Sequence, residues 1–262
     1  MTARAPDVDV AVVGAGVVGL AVAAALARRG RSVVVLERHD AIARETTSRN
    51  SEVVHAGLYY PPGSLKAVLC VEGREALYAR CERLGIPHRR IGKIVVATEE
   101  AEVEVLERIR KTGAENGAPG LEIVGAGLAA ALEPQVRAVA ALRSPSTGIV
   151  DAHALSLSFL AEAEAEGGVL SLRTEVRGIS RTSTGYRVDV RDADGHAGSL
   201  ESAAVVNAAG LASDRVAALA GLDVDACGYR LHFCKGDYFA LAPGSPVRVS
   251  RLVYPVPVQA GL

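Results

Sequence analysis

The sequence predicts a mixed fold, α/β in its first part and α+β overall, and three observations support this. Residues 8–38 have the pattern of a strand, a glycine-rich turn, a helix and a second strand. Later stretches have the pattern of short strands and a hairpin rather than of repeated strand–helix units. The chain has 262 residues, 49% hydrophobic and 23% charged, so it can bury a core for one large domain or two interleaved ones.

The first strand, turn and helix have the spacing of a dinucleotide-binding unit. Residues 10–13 form an apolar run, and Gly14, Gly16 and Gly19 follow it in G-x-G-x-x-G spacing. Gly14 allows a tight turn, Gly16 lets a pyrophosphate approach the backbone, and Gly19 lets the helix pack close to the strand. The N-terminus of this helix presents N–H groups and a partial positive charge to phosphates.

A second apolar strand over 33–36 ends at Glu37, where an acid can accept hydrogen bonds from a ribose diol. The long uncharged run before it also resembles a signal peptide or membrane span. Asp7 and Asp9 precede that run, where a signal peptide has basic residues. We therefore predict that residues 8–38 bind a dinucleotide.

Small polar side chains cluster after the second strand. Thr47, Ser48, Asn50 and Ser51 can donate hydrogen bonds to phosphate or ring oxygens. Ser64 is expected to cap a helix that runs to about residue 84 and ends at a glycine.

The middle of the chain predicts both strands and helices. Residues 92–98 indicate a strand, and residues 99–116 indicate an amphipathic helix. Residues 123–127 repeat a glycine pattern, but no second strand–helix–strand unit follows, so we expect no second nucleotide site there. Strands are expected around the turn at 144–146, and a helix over 152–166.

The last third of the chain predicts mainly strands. They are expected over 169–172, 174–179, 186–191, 198–202 and 203–207. The strands 186–191 and 198–202 form a hairpin around Asp194-Gly195. A final strand is expected over 229–241, with a break at Lys235.

Two sets of segments carry a resemblance to known flavoenzymes. Residues 1–60 resemble the FAD-binding opening of the D-amino-acid oxidase superfamily. HAGLYYPPGSLKAVLCVEG (55–73) and IPHRRIGKIVVAT (86–98) are similar to the L-2-hydroxyglutarate dehydrogenase/oxidase family. The resemblance follows nearly the whole chain, and HAGLYYPPGSLK is its most specific part because the fold alone does not require those residues.

This resemblance implies a division of the chain into two interleaved domains. A Rossmann-like FAD-binding domain is expected over 1–90 and 150–215. A partial, antiparallel-sheet substrate-binding domain is expected over 91–149 and 216–262. Because sequences of the family continue beyond this length, we expect the C-terminal part of the fold to be missing.

The resemblance also implies which residues bind FAD. Val176 lies where backbone flanks the adenine, and Ala209 and Gly210 lie in a small-residue turn that contacts the cofactor. The expected FAD-binding residues are Gly14, Gly16, Gly19, Glu37, Arg38, Thr47, Ser48, Asn50, Ser51, Val176, Ala209 and Gly210. No metal site is expected.

The activity implied is FAD-dependent oxidation of a 2-hydroxy acid, L-2-hydroxyglutarate to 2-oxoglutarate, with hydride transfer to flavin N5. His55 is the predicted base, because a neutral imidazole accepts a proton near pH 7; the alternative is that it only binds or packs beside the flavin. Lys235, in a K-G-x-Y-F segment, is the second predicted catalytic residue. It would bind a substrate carboxylate or the pyrimidine end of the flavin, or be a surface lysine.

Three other functions remain as alternatives. An NAD-dependent dehydrogenase would need further strand–helix units where this chain turns to hairpins. A truncated, inactive flavoprotein fragment or interaction module is the second. The third is a related superfamily oxidase that acts on amino acids, amines or glycerol phosphate.

Composition bears on partners and location. The net charge is −1 and the cations are spread along the chain, so no nucleic-acid partner is expected. The four cysteines lack metal-type pairing, which favours a reducing cytoplasm. We expect a small hydroxy acid as substrate and oxygen or a quinone as electron acceptor. A membrane quinone and the positive mean hydropathy would favour peripheral contact with the inner membrane.

Overall fold

The computed structural model describes residues 5–257, and these residues form two compact units. The first unit comprises the chain up to Ser51 together with Ala152–Gly236. The second comprises Glu52–Asp151 and the chain from Asp237 onward. Each unit is therefore built from two separate segments of the chain.

The described residues form thirteen strands and six α-helices. The strands are β1 (Val8–Val13), β2 (Val33–Leu36), β3 (Val53–Val54), β4 (His88–Arg89), β5 (Lys93–Ala97), β6 (Glu122–Gly125), β7 (Ala140–Ser144), β8 (Gly148–Val150), β9 (Val169–Ser171), β10 (Glu175–Arg181), β11 (Tyr186–Arg191), β12 (Ala197–Asn207) and β13 (Leu252–Pro255). The helices are α1 (Val17–Ala27), α2 (Leu65–Leu84), α3 (Val103–Glu115), α4 (Ala126–Leu132), α5 (Ala152–Ala165) and α6 (Ser213–Leu219).

The first unit contains a six-stranded sheet in the order β10-β11-β12-β1-β2-β9. Strand β1 pairs in parallel with β2 on one side, where Val10 faces Val33, and with β12 on the other, where Val13 faces Asn207. Strands β10, β11 and β12 form an antiparallel meander. The strand–helix–strand unit predicted from residues 8–38 thus lies beside the centre of this sheet.

Both faces of this sheet are covered. On one face, Val10, Val12 and Val33 pack with α1 and α5. The helix α1 buries small residues such as Ala23 and Ala24, which allow it to lie close to the strands. On the other face, a second apolar cluster contains Ala11, Val13, Leu36, Val176, Ile179, Val188 and Val216. Successive residues of β1 from Val10 to Val13 are buried on opposite faces, as expected for a strand that is covered on both sides.

The second unit contains two smaller sheets. The four-stranded sheet has the order β13-β5-β7-β6, and the three-stranded sheet has the order β3-β8-β4. Helix α3 packs Leu106 and Ile109 against Val95 and Leu142 of the larger sheet. Helix α2 begins where the Ser64 side chain accepts a hydrogen bond from the N–H of Ala67, and it ends at a left-handed glycine, as predicted.

The mixed α/β class is confirmed, but several details differ from the prediction. Strand β12 joins the predicted strands 198–202 and 203–207 into one strand, because the same backbone pairs with β11 on one side and β1 on the other. Residues 122–132 form β6 and α4, which the sequence pattern did not indicate. The strand predicted over 229–241 is wrong: these residues form neither helix nor strand. Apolar side chains of this segment, including Phe233 and Phe239, are exposed. Its backbone pairs with no strand among residues 5–257.

The compact units also differ from the predicted domain boundaries. Residues 52–90 lie in the second unit because β3 and β4 both pair with β8. Residues 216–236 lie in the first unit, where α6 buries Val216 against the sheet. The units follow backbone contacts, and the assignment of FAD or substrate binding to each domain stays a prediction. No helix in the described part of the chain has the length and apolar character needed to span a membrane.

Candidate functional site

The turn between β1 and α1 is held in close contact with the end of β12. Gly14 has φ +106°, and a Cβ added there would lie 2.6 Å from the carbonyl oxygen of Ala208. A Cβ on Gly19 would lie 2.0 Å from the carbonyl oxygen of Gly14. Only residues without a side chain fit both positions, so the predicted close packing of turn, strand and helix is realised.

A cavity of about 380 Å³ opens beside this turn in the first unit. That volume lies in the usual range for small-molecule sites. Its walls come from both chain segments of the unit, from Val13 to Thr47 and from Thr174 to Leu219. The carboxyl ends of β1 and β2 lie at this edge of the sheet, which is where open α/β sheets bind their ligands.

Two backbone N–H groups at the start of α1 bind side chains that line this cavity. The N–H of Val17 donates to Thr47 Oγ1 at 3.1 Å, and the N–H of Ala15 donates to Glu37 Oε2 at 2.8 Å. Because the Thr47 oxygen acts as an acceptor here, its hydroxyl hydrogen can be donated to a phosphate. No acidic residue occupies the first turn of α1. These features fit a dinucleotide whose pyrophosphate lies at the helix N-terminus.

Glu37 lies at the end of β2 and is 8% exposed. Its two carboxylate oxygens accept backbone N–H groups, Oε2 from Ala15 and Oε1 from His39 at 2.9 Å. A carboxylate oxygen has more than one acceptor position, so these bonds leave room for the hydroxyls of a ribose. Glu37 therefore shapes the cavity wall as well as offering the predicted acceptor.

Arg38 and Glu45 form an ion pair at the cavity wall. His39 Nε2 also lies 2.9 Å from Glu45 Oε1. The hydrogen bond with His39 and the charge of Arg38 hold the pKa of Glu45 below its usual value. This pair connects the segment after β2 to the turn that carries Thr47.

The structure brings eight of the twelve predicted FAD-binding residues to the cavity. They are Gly14, Gly16, Glu37, Arg38, Thr47, Val176, Ala209 and Gly210. The other four do not line it, and Gly19 packs behind the turn. Ser48 donates to the carbonyl oxygen of Glu45, and Asn50 donates to the carbonyl oxygens of Thr46 and Thr47. Ser48 and Asn50 thus stabilise the turn that presents Thr47, while Ser51 is exposed.

Sequence reasoning missed three arginines that line the cavity. They are Arg44, Arg177 and Arg215, and the Arg177 side chain also pairs with Glu175 at 3.0 Å. Arg177 directly follows Val176, which was predicted to flank the adenine. The glycine motif indicates where backbone approaches a ligand, but not which long side chains reach the same place from other elements.

The two predicted catalytic residues lie in different units. His55 follows β3 in the second unit and is half-buried. Burial, together with the positive charges of Lys93 and Lys66, lowers the pKa of His55 below 6.5. The imidazole is therefore neutral at pH 7 and can accept a proton. Lys235 lies in the first unit, in an exposed segment without helix or strand.

A buried lysine close to His55 was also missed. Lys93 begins β5 and is 1% exposed. Its ammonium lies 3.2 Å from the hydroxyl of Tyr59 and 4.5 Å from the centre of the Tyr254 ring. Burial lowers the pKa of Lys93 to about 8. The signal in the sequence was a single lysine directly before the apolar run 94–97. Charged residues are seldom found in a buried strand.

Comparison with known families and proteins gives a consistent result. The profile of the family described as FAD dependent oxidoreductase matches residues 9–261. The chain is 39% identical to the mitochondrial L-2-hydroxyglutarate dehydrogenase of Arabidopsis thaliana over 97% of this chain and 58% of that protein. It is 37% identical to the human protein of the same name over 98% of this chain and 57% of that protein. The chain thus spans less than two thirds of the length of these relatives.

Two solved structures with a similar fold are oxidases. One is a dithionite-reduced L-alpha-glycerophosphate oxidase from Mycoplasma pneumoniae with FAD bound, with a TM-score of 0.81 and 26% identity. The match covers 95% of this chain and 65% of that one. Another is a glycine oxidase from Geobacillus kaustophilus, with a TM-score of 0.74 and 28% identity over 82% of this chain and 59% of that one.

Proposed function

Since the chain belongs to the FAD dependent oxidoreductase family, we propose that it oxidises L-2-hydroxyglutarate to 2-oxoglutarate with FAD as cofactor. The proposal of this substrate rests on the similarity to L-2-hydroxyglutarate dehydrogenases along 97% of the chain. The charges around His55 agree with it. The positive charges of Lys93 and Lys66 lower the pKa of this imidazole. The negative charges of a dicarboxylate substrate would be attracted to the same lysines.

Residues of the first unit would hold the cofactor. The N-terminus of α1, the Thr47 hydroxyl and the backbone at Gly14 and Gly16 suit the pyrophosphate, and Glu37 suits a ribose. The chemistry that bound FAD supplies is acceptance of hydride at N5 from the carbon that carries the substrate hydroxyl. The other requirement of the reaction is removal of the hydroxyl proton, which falls to the protein.

We assign that proton transfer to His55. An unprotonated ring nitrogen of this residue would accept the proton from the substrate hydroxyl as the C–H bond breaks. The lowered pKa of His55 keeps the ring in its neutral form at pH 7, which is the form a base needs. The nearby positive charge of Lys93 also favours an anionic substrate over a neutral one.

We propose that Lys235 binds a ligand and does not transfer the proton. Its ammonium would bind a substrate carboxylate or the pyrimidine end of the flavin. Replacing it with methionine is expected to raise the KM for L-2-hydroxyglutarate or to change the absorbance maximum of the bound flavin. A variant unchanged in both would show Lys235 to be a surface residue.

The test of the proposed function is anaerobic reduction of the flavin in the FAD-loaded protein. L-2-hydroxyglutarate is expected to bleach the flavin absorbance and to yield one 2-oxoglutarate for each flavin reduced. The matched controls are D-2-hydroxyglutarate, glycerol 3-phosphate and glycine. Bleaching by one of the controls but not by L-2-hydroxyglutarate would assign another substrate. Reoxidation of the reduced protein by oxygen or by a soluble quinone would then identify the electron acceptor.

A further inference from the structure

Lys93 is a buried cation that has no carboxylate among its contacts in the described part of the chain. Among the described residues, its ammonium contacts the Tyr59 hydroxyl at 3.2 Å and the rings of Tyr59 and Tyr254 at 4.7 and 4.5 Å. None of these partners is a carboxylate. An ammonium withdrawn from water is normally paired with an opposite charge, because burial alone strongly disfavours it.

The hydrogen bond between Lys93 and Tyr59 has a fixed direction. An ammonium carries only donors, so the Tyr59 oxygen must be the acceptor. The hydroxyl hydrogen of Tyr59 is therefore directed away from Lys93 and is available to another acceptor. Burial also raises the pKa of Tyr59 above its ordinary value, so the hydroxyl remains a donor near neutral pH. Unlike Lys93, Tyr59 is only half-buried.

We propose that the Tyr59 hydroxyl binds a carboxylate of the hydroxy-acid substrate and that Lys93, behind it, is a positioning residue. This inference rests on the proposed function, since it names the group that recognises the acid. The Lys93 charge strengthens Tyr59 as a donor, because hydrogen bonds in a chain polarise one another. Tyr59 lies four residues after His55, so one short segment would carry both the base and the carboxylate donor.

The test measures the binding of glutarate, a dicarboxylate that has no hydroxyl to oxidise, to the FAD-loaded protein by calorimetry. Tyr59→Phe removes the hydroxyl and is expected to weaken glutarate binding about tenfold to a hundredfold. Lys93→Met is expected to weaken it less, about threefold to tenfold. The double variant should bind little more weakly than Tyr59→Phe alone, because Lys93 acts mainly through Tyr59.

Two further variants separate positioning from a purely structural effect. Lys93→Arg keeps the charge and is expected to restore most of the affinity that Lys93→Met loses. Tyr60→Phe is the matched control, because this neighbouring ring lies 4.4 Å from the Lys66 ammonium and the contact needs no hydroxyl. It should leave glutarate affinity within about twofold. Flavin content and circular dichroism check that each variant is folded.

The inference is overturned if the wild-type protein does not bind glutarate or if Tyr59→Phe binds it as the wild type does. Additive effects in the double variant would remove Lys93 from its positioning role. A different result would reject the proposed function alone. In that case the wild-type protein binds glutarate with the expected dependence on Tyr59, but L-2-hydroxyglutarate does not bleach its flavin. The inverse result, flavin bleaching with unchanged KM in Tyr59→Phe, would leave the function standing and reject the inference.

Discussion

At the scale of single residues, His55 is the side chain on which the proposed chemistry depends. Replacing His55 with alanine removes the proton acceptor, and general-base catalysis typically contributes 10²–10⁴-fold. We expect the rate of flavin reduction by L-2-hydroxyglutarate to fall by about a hundredfold or more, with the affinity for glutarate changed far less. Stopped-flow measurement of flavin bleaching under anaerobic conditions reads this rate directly.

His232 supplies the control for that experiment. It is exposed and lies in the part of segment 229–241 that belongs to the first unit, and His232→Ala should leave the rate of flavin reduction within about twofold. If His55→Ala reduces the flavin as fast as the wild type, His55 has no role as a base and only packs in its unit.

The pH dependence of the reaction follows from the same residue. The pKa of His55 lies below 6.5 because of burial, Lys93 and Lys66. A base acts when neutral, so kcat/KM should be constant above that pKa and fall as the pH drops through it. We therefore expect the acid limb of the pH profile below pH 6.5. Lys93→Met removes one of the three causes and should move the limb to higher pH.

Lys66→Met is the matched comparison for this shift. Lys66 also lowers the pKa of His55, but it ranks after Lys93 among the causes, so its loss should move the acid limb less. An acid limb that stays in place in both variants would show that the group titrating in kcat/KM is not His55.

At the scale of elements, the contact between α1 and the glycine turn sets how close the helix can lie. Gly19→Ala would place a methyl group 2.0 Å from the carbonyl oxygen of Gly14, so the helix would have to shift. Overpacking of this kind costs about 1–3 kcal/mol in the free energy of unfolding. We expect that loss in urea unfolding, together with weaker FAD binding because the start of α1 moves.

Gly73→Ala is the control for this substitution. Gly73 lies in the exposed middle of α2, and a Cβ there meets nothing within 4 Å. Alanine is the better helix former, so this variant should be more stable by up to about 1 kcal/mol. Equal effects of the two substitutions would mean that helix propensity, and not the close approach of Gly19 to Gly14, governs the result.

Elements were predictable where local signals were strong. The strand–glycine–helix pattern of β1 and α1 and the Ser64 cap of α2 each depend on residues close in sequence. The continuity of β12 depends on two distant partner strands, and no local pattern could indicate it. For residues 229–241 the pattern indicates a strand, but the pattern does not show whether a partner strand is present.

At the scale of the whole chain, the sequence predicted several residues that line the cavity, but it did not predict which long side chains reach the cavity from other elements. Gly14 and Glu37 line the cavity as expected because a motif fixes their spacing. Arg177 and Arg215 reach the same cavity from other elements, and Lys93 reaches Tyr59 from another strand. Contacts of that kind come from tertiary packing, which a single sequence does not specify.

The first unit is assembled from two separate chain segments, and this leads to a prediction about FAD. The cavity walls come from residues 13–47 and from residues 174–219, so a ligand there should protect both segments at once. At a hundred times its Kd, a ligand stabilises the folded state by about 2.7 kcal/mol. Adding FAD to the flavin-free protein should therefore slow amide hydrogen exchange in both segments and raise Tm.

NAD is the control, since a nicotinamide-dependent dehydrogenase would be protected by NAD instead. Protection of residues 13–47 alone would show that the second segment does not hold the cofactor, and would reject the roles predicted for Val176, Ala209 and Gly210.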